Sequence, residues 1–158
     1  MRLAPLLFAA ALAASAVPVM ANAQPAAAAV SGAEFLAKTA REAGVQTLPS
    51  GLQVKVVASG PAGGPSPKPG DMVKVHYEGK LTSGEVFDSS FARGKPALMP
   101  LDGLVAAWME ALPRMRVGDE WILYAPPELG YGAQGAGPIP PGSVLIFRVK
   151  LLGLLSAD

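Results

Sequence analysis

The chain has 158 residues, with 13 basic and 12 acidic side chains, one histidine and no cysteine. That balance leaves no electrostatic footprint for nucleic acid or for an anionic membrane surface. It also excludes thiol catalysis, cysteine-based zinc sites and a lipid anchor on an N-terminal cysteine, and no carboxylates cluster at ligand spacing, so neither metal nor cofactor is expected.

Arg2 is followed by an apolar run from Leu3 to about Met20 and then by Ala21-Asn22-Ala23. A basic start, an apolar middle and a small-residue exit predict a cleaved secretory signal over residues 1–23, with an uncleaved membrane anchor as the alternative. The signal is short and bacterial in style, which predicts a periplasmic protein ahead of a secreted one. A mature chain starting near Gln24 keeps 135 residues, enough for one domain with its own core.

Residues 24–50 read as a leader and a short N-terminal helix. QPAAAAV is low-complexity; Ser31 with Glu34 three residues on is a capping box, Phe35, Leu36, Thr39 and Ala43 give a thin apolar face, and Gly44 is the stop. From Leu52 the period becomes two. LQVKVVAS places Leu52, Val54 and Val56 on one face of a strand, the Pro- and Gly-rich stretch from Gly60 to Asp71 is a loop, and MVKVHYEGKL alternates Val73, Val75 and Tyr77 against Lys74, His76 and Glu78.

TSGE is a turn into the short strand VFDSS, and the stretch from Ser90 to Asp102, with its two prolines, reads as irregular. Asp102 is placed to cap a helix on which Leu104, Val105, Trp108 and Leu112 share one face, ended by Pro113 and Gly118. EWILYA is the next strand. VLIFRVKLLG is the last, with Leu145, Phe147, Val149 and Leu151 inward. The expected fold is α+β, an antiparallel five-stranded sheet with one central helix, occupying residues 51–158.

Between the last two strands lies YGAQGAGPIPPGS, residues 131–143, far more loop than connectivity requires. Tyr131 stands in this glycine-rich segment, where its hydroxyl is free to face a ligand. Asp88 interrupts an apolar stretch beside Phe87, a costly placement unless the carboxylate is paired, and Arg93 is within reach. Tyr77, Phe87, Trp108 and Phe147 each read alone as core residues. His76 reads as a strand residue with a local hydrogen bond rather than a catalytic base.

The run VKVHYEGKLTSGEVFDSS, continued in order by RGKP, Trp108, MRVGDEW and YGAQGAGPIPPGSVLIFRVKLL, resembles the FKBP-type peptidyl-prolyl cis/trans isomerases from about Leu52 to Leu152. The resemblance implies a twisted half-barrel sheet wrapped around the Trp108 helix. It also implies an apolar hollow for a proline ring, lined by Tyr77, Phe87, Trp108 and Phe147, with Trp108 as floor. Asp88 would be its polar group, held with Tyr77 and Arg93; Leu104 and Val105 would give an apolar wall and, at Val105, a backbone N–H; Tyr131 would donate its hydroxyl to a substrate carbonyl; and Ile139 would close the hollow from the loop.

Ala97, Asp102, Leu104 and Ala107 depart from the common family pattern, and Ala97 in particular would widen the hollow. The implied partners are proline-containing unfolded or partly folded exported proteins, and macrolide ligands. The short N-terminal helix resembles the tail of the connecting helix of longer dimeric relatives, and a monomer is expected. A chaperone or peptide-binding module using the same hollow with little turnover is the alternative function.

Overall fold

A computed structural model describes residues 31–157. Residues 1–23, read as a secretory signal, and the stretch up to Val30, read as leader, lie outside the described residues. The elements in chain order are α1 (Gly32–Thr39), β1 (Val45–Thr47), β2 (Gln53–Ala58), β3 (Met72–Leu81), β4 (Val86–Ser89), β5 (Ala97–Pro100), α2 (Ala106–Ala111), β6 (Glu120–Ala125) and β7 (Leu145–Leu155). Single 3-10 turns follow α2 at Leu112–Arg114 and β6 at Pro127–Leu129.

All the pairings are antiparallel and join one sheet in the order β1-β2-β6-β7-β3-β4, with β5 beside β4 on the same edge of β3. β3 and β7 are buried on one face only, while β6 also buries Glu120 and Tyr124 on its outer face. On the inner face Val73 and Val75 of β3, Leu123 and Ala125 of β6, and Leu145, Val149 and Leu151 of β7 are fully covered. Their common partner is α2, whose Ala107 and Ala111 are fully buried and whose Trp108 is 4 % exposed. Bulges between Lys74 and Val75, Gly79 and Lys80, and Val56 and Ala58 add local twist that curls the sheet around this short helix.

The sheet has seven strands rather than five. The two additional strands are short. β1 precedes residue 51 and pairs with β2, so the sheet begins inside the segment read as leader and helix. β5 was expected to be irregular because of its prolines. The Leu101 N–H to Asp71 carbonyl bond of 2.8 Å fixes its phase. Ala97 and Met99 therefore bond to β3, and Pro96, Leu98 and Pro100 turn their amide positions to the free edge, where a proline breaks no ladder bond.

Three smaller expectations also differ. Val56 is 48 % exposed, because β2 runs past the core and bulges there. The chain turns at Gly103, with φ of 86°, and α2 starts only at Ala106, so Val105 and not Asp102 occupies the N-cap, with no side-chain cap bond. Leu104 and Val105 thus precede the helix. At the other terminus the Ser31–Glu34 capping box is present, and α1 ends at Thr39, before Gly44. The helix lies on the outer face of the sheet, where Gln53 Nε2 donates to the Leu36 carbonyl at 2.8 Å and Phe35 meets Tyr124 at 6.1 Å.

Candidate active site

Where the sheet opens beside α2 it leaves a hollow of about 300 Å³. Separate elements contribute to its lining, among them Tyr77 from β3, Phe87 and Asp88 from β4, Trp108 from α2 and Phe147 from β7. Leu104, Val105 and Tyr131 complete the set of expected residues on its wall. The rings interlock edge to face. Trp108 meets Tyr77 at 5.1 Å and 82° and Phe147 at 5.6 Å and 85°, and Phe147 meets Phe87 at 5.9 Å and 88°. Edge-to-face contacts fix ring directions as well as burying area, so the hollow is held open in one shape.

Gly79 permits this packing. A Cβ at that position would meet the Phe87 ring at 2.5 Å and Phe147 at 3.1 Å, so the aromatic wall closes directly over the bare backbone of β3.

On the rim, Tyr77 donates its hydroxyl to Asp88 at 2.5 Å, and Arg93 donates to Asp88 and, at 3.0 Å, to the Tyr77 oxygen. The guanidinium also sits 5.6 Å from the Tyr77 ring centre. Desolvation pushes the Asp88 carboxyl up, but the bonds from Tyr77 and Arg93 together with the guanidinium charge outweigh it and hold the group below its ordinary value. Burial, reinforced by the bond to Asp88, raises the Tyr77 phenol. The carboxylate therefore stays ionised and the phenol protonated, a stable ion-paired triad and not a proton-transfer pair.

Ser90, fully buried, locks the triad from behind. Its hydroxyl oxygen accepts the Tyr77 N–H at 2.7 Å and lies 2.9 Å from His76 Nδ1. The His76 ring stacks on Phe91 at 4.6 Å. Histidine thus supports the strand locally and stands outside the hollow.

Two of the expected site residues lie off the lining. Arg93 is on the rim with a side chain 52 % exposed, acting through Asp88 and Tyr77. Ile139 is 6 % exposed and belongs to the core cluster. It exchanges backbone bonds of 2.8 and 3.1 Å with Ala136, so it pins the loop from below instead of covering the hollow.

Conversely, Met99 and Gly103 line the hollow and were not foreseen. Met99 shares the inward face of β5 with Ala97, so reading ALMP as a strand would have found it.

A curled antiparallel sheet thus holds an aromatic hollow of about 300 Å³ against one short helix. The model of the FKBP-type peptidyl-prolyl cis-trans isomerases matches residues 63–152, and the model of the domain amino terminal to such isomerases matches residues 8–56. The chain belongs to the FKBP-type peptidyl-prolyl cis-trans isomerase family.

It is 48 % identical over 128 residues to the FKBP-type 22 kDa peptidyl-prolyl cis-trans isomerase of Escherichia coli, covering 80 % of this chain and 61 % of that protein. It is 49 % identical over 121 residues to the peptidyl-prolyl cis-trans isomerase Mip of Coxiella burnetii, covering 76 % of this chain and 52 % of the relative. The chain thus spans about half to three-fifths of the length of these curated relatives. Among solved structures, FkpA from Escherichia coli superposes with a TM-score of 0.77 at 42 % identity, over 80 % of this chain and 59 % of that one. A peptidyl-prolyl cis-trans isomerase from Pseudomonas syringae superposes with a TM-score of 0.74 at 32 % identity, over 84 % of this chain and 98 % of that one.

Proposed function

We propose that this protein catalyses cis/trans rotation about Xaa-Pro peptide bonds in exported polypeptides, binding the proline ring in the aromatic hollow. The observation that carries the reading is the rigid edge-to-face ring set on Trp108, Tyr77, Phe147 and Phe87 with a paired carboxylate at its rim. A hollow of about 300 Å³ with aromatic walls has room for a pyrrolidine ring and for chain on either side of it.

The Xaa-Pro bond rotates over a barrier of about 18 to 20 kcal/mol, which leaves uncatalysed exchange at tens to hundreds of seconds. Twisting removes amide resonance and makes the carbonyl less polar, so water stabilises the planar forms more than the twisted one. An apolar hollow reverses that preference, and this difference between ground and transition state lowers the barrier. Among the described residues the Val105 N–H has no acceptor, and with the Tyr131 hydroxyl it offers donors to the flanking carbonyls of the twisted chain. No nucleophile or proton transfer is required.

Asp88 acts through position and charge. Its carboxylate orients Tyr77 and Arg93 and is itself charge-paired at the mouth of the hollow. The relatives' names as isomerases support the same reading, and the N-terminal segment read as a secretory signal supports export to the periplasm. The substrates are then proline-containing chains that are still unfolded in that compartment.

The test is isomerisation of a short Xaa-Pro peptide by the purified protein beside Tyr131→Ala and Asp88→Leu, each checked for folding by circular dichroism. We expect acceleration by the wild type and a drop of about tenfold or more in each variant, the scale of one lost transition-state contact. A folded wild type that gives no acceleration overturns the isomerase and moves the weight to a peptide-binding module.

A further inference from the structure

The hollow works by being apolar, and one atom in its wall can be made polar by simple chemistry. The chain contains no cysteine, so methionine thioethers are its most readily oxidised sulfur atoms. Four methionines fall among the described residues. Met115 is fully buried, Met109 is 42 % exposed on the far side of α2, Met72 is half-buried on β3, and Met99 is half-buried on β5. Of these, Met99 alone lines the hollow. The hollow opens to solvent, so a small oxidant reaches this sulfur by the path that a proline ring would take.

We propose that Met99 is a modification site, a methionine whose reversible oxidation to the sulfoxide by a peroxide-class oxidant closes the hollow to substrate. A sulfur lone pair attacks the peroxide, the S–O bond forms as the O–O bond breaks, and both peroxide protons leave in one water molecule. Sulfur loses two electrons and the peroxide gains them.

The product carries a strong acceptor oxygen on a wall whose apolar part includes Phe87, Trp108, Phe147 and Leu104. Asp88 and its two donors are already bonded to one another. Among the residues that line the hollow, the donors not already bonded include the Tyr131 hydroxyl and the Val105 N–H, the groups that a bound chain would need, and the Trp108 Nε1–H, which is buried without a partner. Whether the sulfoxide stays unpaired or takes one of them, the hollow loses affinity for an apolar ring. Methionine sulfoxide reductases undo the change, which makes it a switch and not simply damage.

The loss of turnover rests on the isomerase reading; the place of oxidation does not. The protein is treated with graded hydrogen peroxide, oxygen uptake at each methionine is mapped by peptide mass, and peptide isomerisation is followed in parallel. We expect Met99 to gain one oxygen before Met72 and Met115, turnover to fall about tenfold in step with Met99 and not with Met109, and reductase treatment to restore it.

Met99→Leu, a volume-conserving change, should hold its own untreated rate at doses that silence the wild type, while Met109→Leu should be silenced like the wild type. The proposal is overturned if Met99 stays unmodified when Met109 is oxidised, if turnover is unmoved with Met99 fully oxidised, or if Met99→Leu loses its rate as fast as the wild type. An untreated protein with no turnover refutes the isomerase reading, and the mass map then decides by itself whether Met99 is the oxidised position.

Discussion

Two segments of this chain look alike as sequence and differ in what they do. GPAGGPSPKPGD, from Gly60 to Asp71, and YGAQGAGPIPPGS, from Tyr131 to Ser143, are both rich in proline and glycine and both join strands of one sheet. The first is tied down from outside itself. Asp119, 3 % exposed, accepts from Gly60 N–H at 2.6 Å and from Arg116 N–H at 2.9 Å, Val117 N–H bonds the Pro65 carbonyl, and Pro67 is buried.

The second segment is tied mainly to itself: Gly135 N–H to Tyr131, Gly142 N–H to Gly132, and Ala136 to Ile139. Its one buried side chain, Ile139, roots it in the core, and Tyr131 at its foot faces the hollow. Composition therefore marks where a chain leaves the sheet. Function depends on which side chain the loop delivers and on how firmly its own backbone holds that side chain in place.

The sharpest way to break the contrast is Gly135→Ala. Gly135 has φ of 68°, and an added Cβ would run into the Ile139 carbonyl and into Pro140 at 2.8 Å. Backbone cannot give way as a side chain tip can, so the loop must reopen. The left-handed dihedral and the clash together should cost about 3 kcal/mol and release Tyr131, with turnover falling further than in Tyr131→Ala. Denaturant unfolding and peptide isomerisation read the two effects separately. A variant of unchanged stability and rate would show that the internal bonds do not position Tyr131.

Much of this was visible in the sequence, for reasons that also mark where reading stopped. Asp88, Arg93 and Tyr131 stood out because a costly placement, a charge in an apolar run or an aromatic residue in a glycine loop, points to a partner, whereas the four rings read alone as core residues and were placed in the hollow only by the family resemblance. β3 and β7 were legible because one face of each is buried, which prints a period of two, and β6 as a short apolar run between turn residues.

β1 has only three residues, too few to print a period. β5 was hidden because proline normally argues against a strand, and that rule lapses on a free edge where no N–H is needed. Missing β5 concealed Met99 as well. Ile139 was assigned to the hollow, yet composition cannot reveal which way a turn at Gly137 and Pro138 will face its neighbour.

A second prediction concerns the other loop. Asp119→Ala removes a buried acceptor and leaves two backbone N–H groups without their partner, which should cost about 2 kcal/mol. No residue from Gly60 to Asp71 lines the hollow, so the folded variant should turn over Xaa-Pro peptide at the wild-type rate. Equal losses of stability and rate would mean that the two loops are coupled through β6, which starts at Glu120 directly after the clamp.

The smallest effect completes the comparison with the same substitution as the first. Gly63 also has a left-handed backbone, with φ of 82°, but an added Cβ meets nothing within 4 Å. Gly63→Ala should then pay the dihedral alone, about 1 kcal/mol, with no change in isomerisation. The difference between the two glycine variants isolates steric closure from backbone strain, because both start from similar dihedrals. If Gly63→Ala proved as damaging as Gly135→Ala, strain alone would explain both, and the close packing of Gly135 against Ile139 and Pro140 would have no separate part in holding Tyr131 at the hollow.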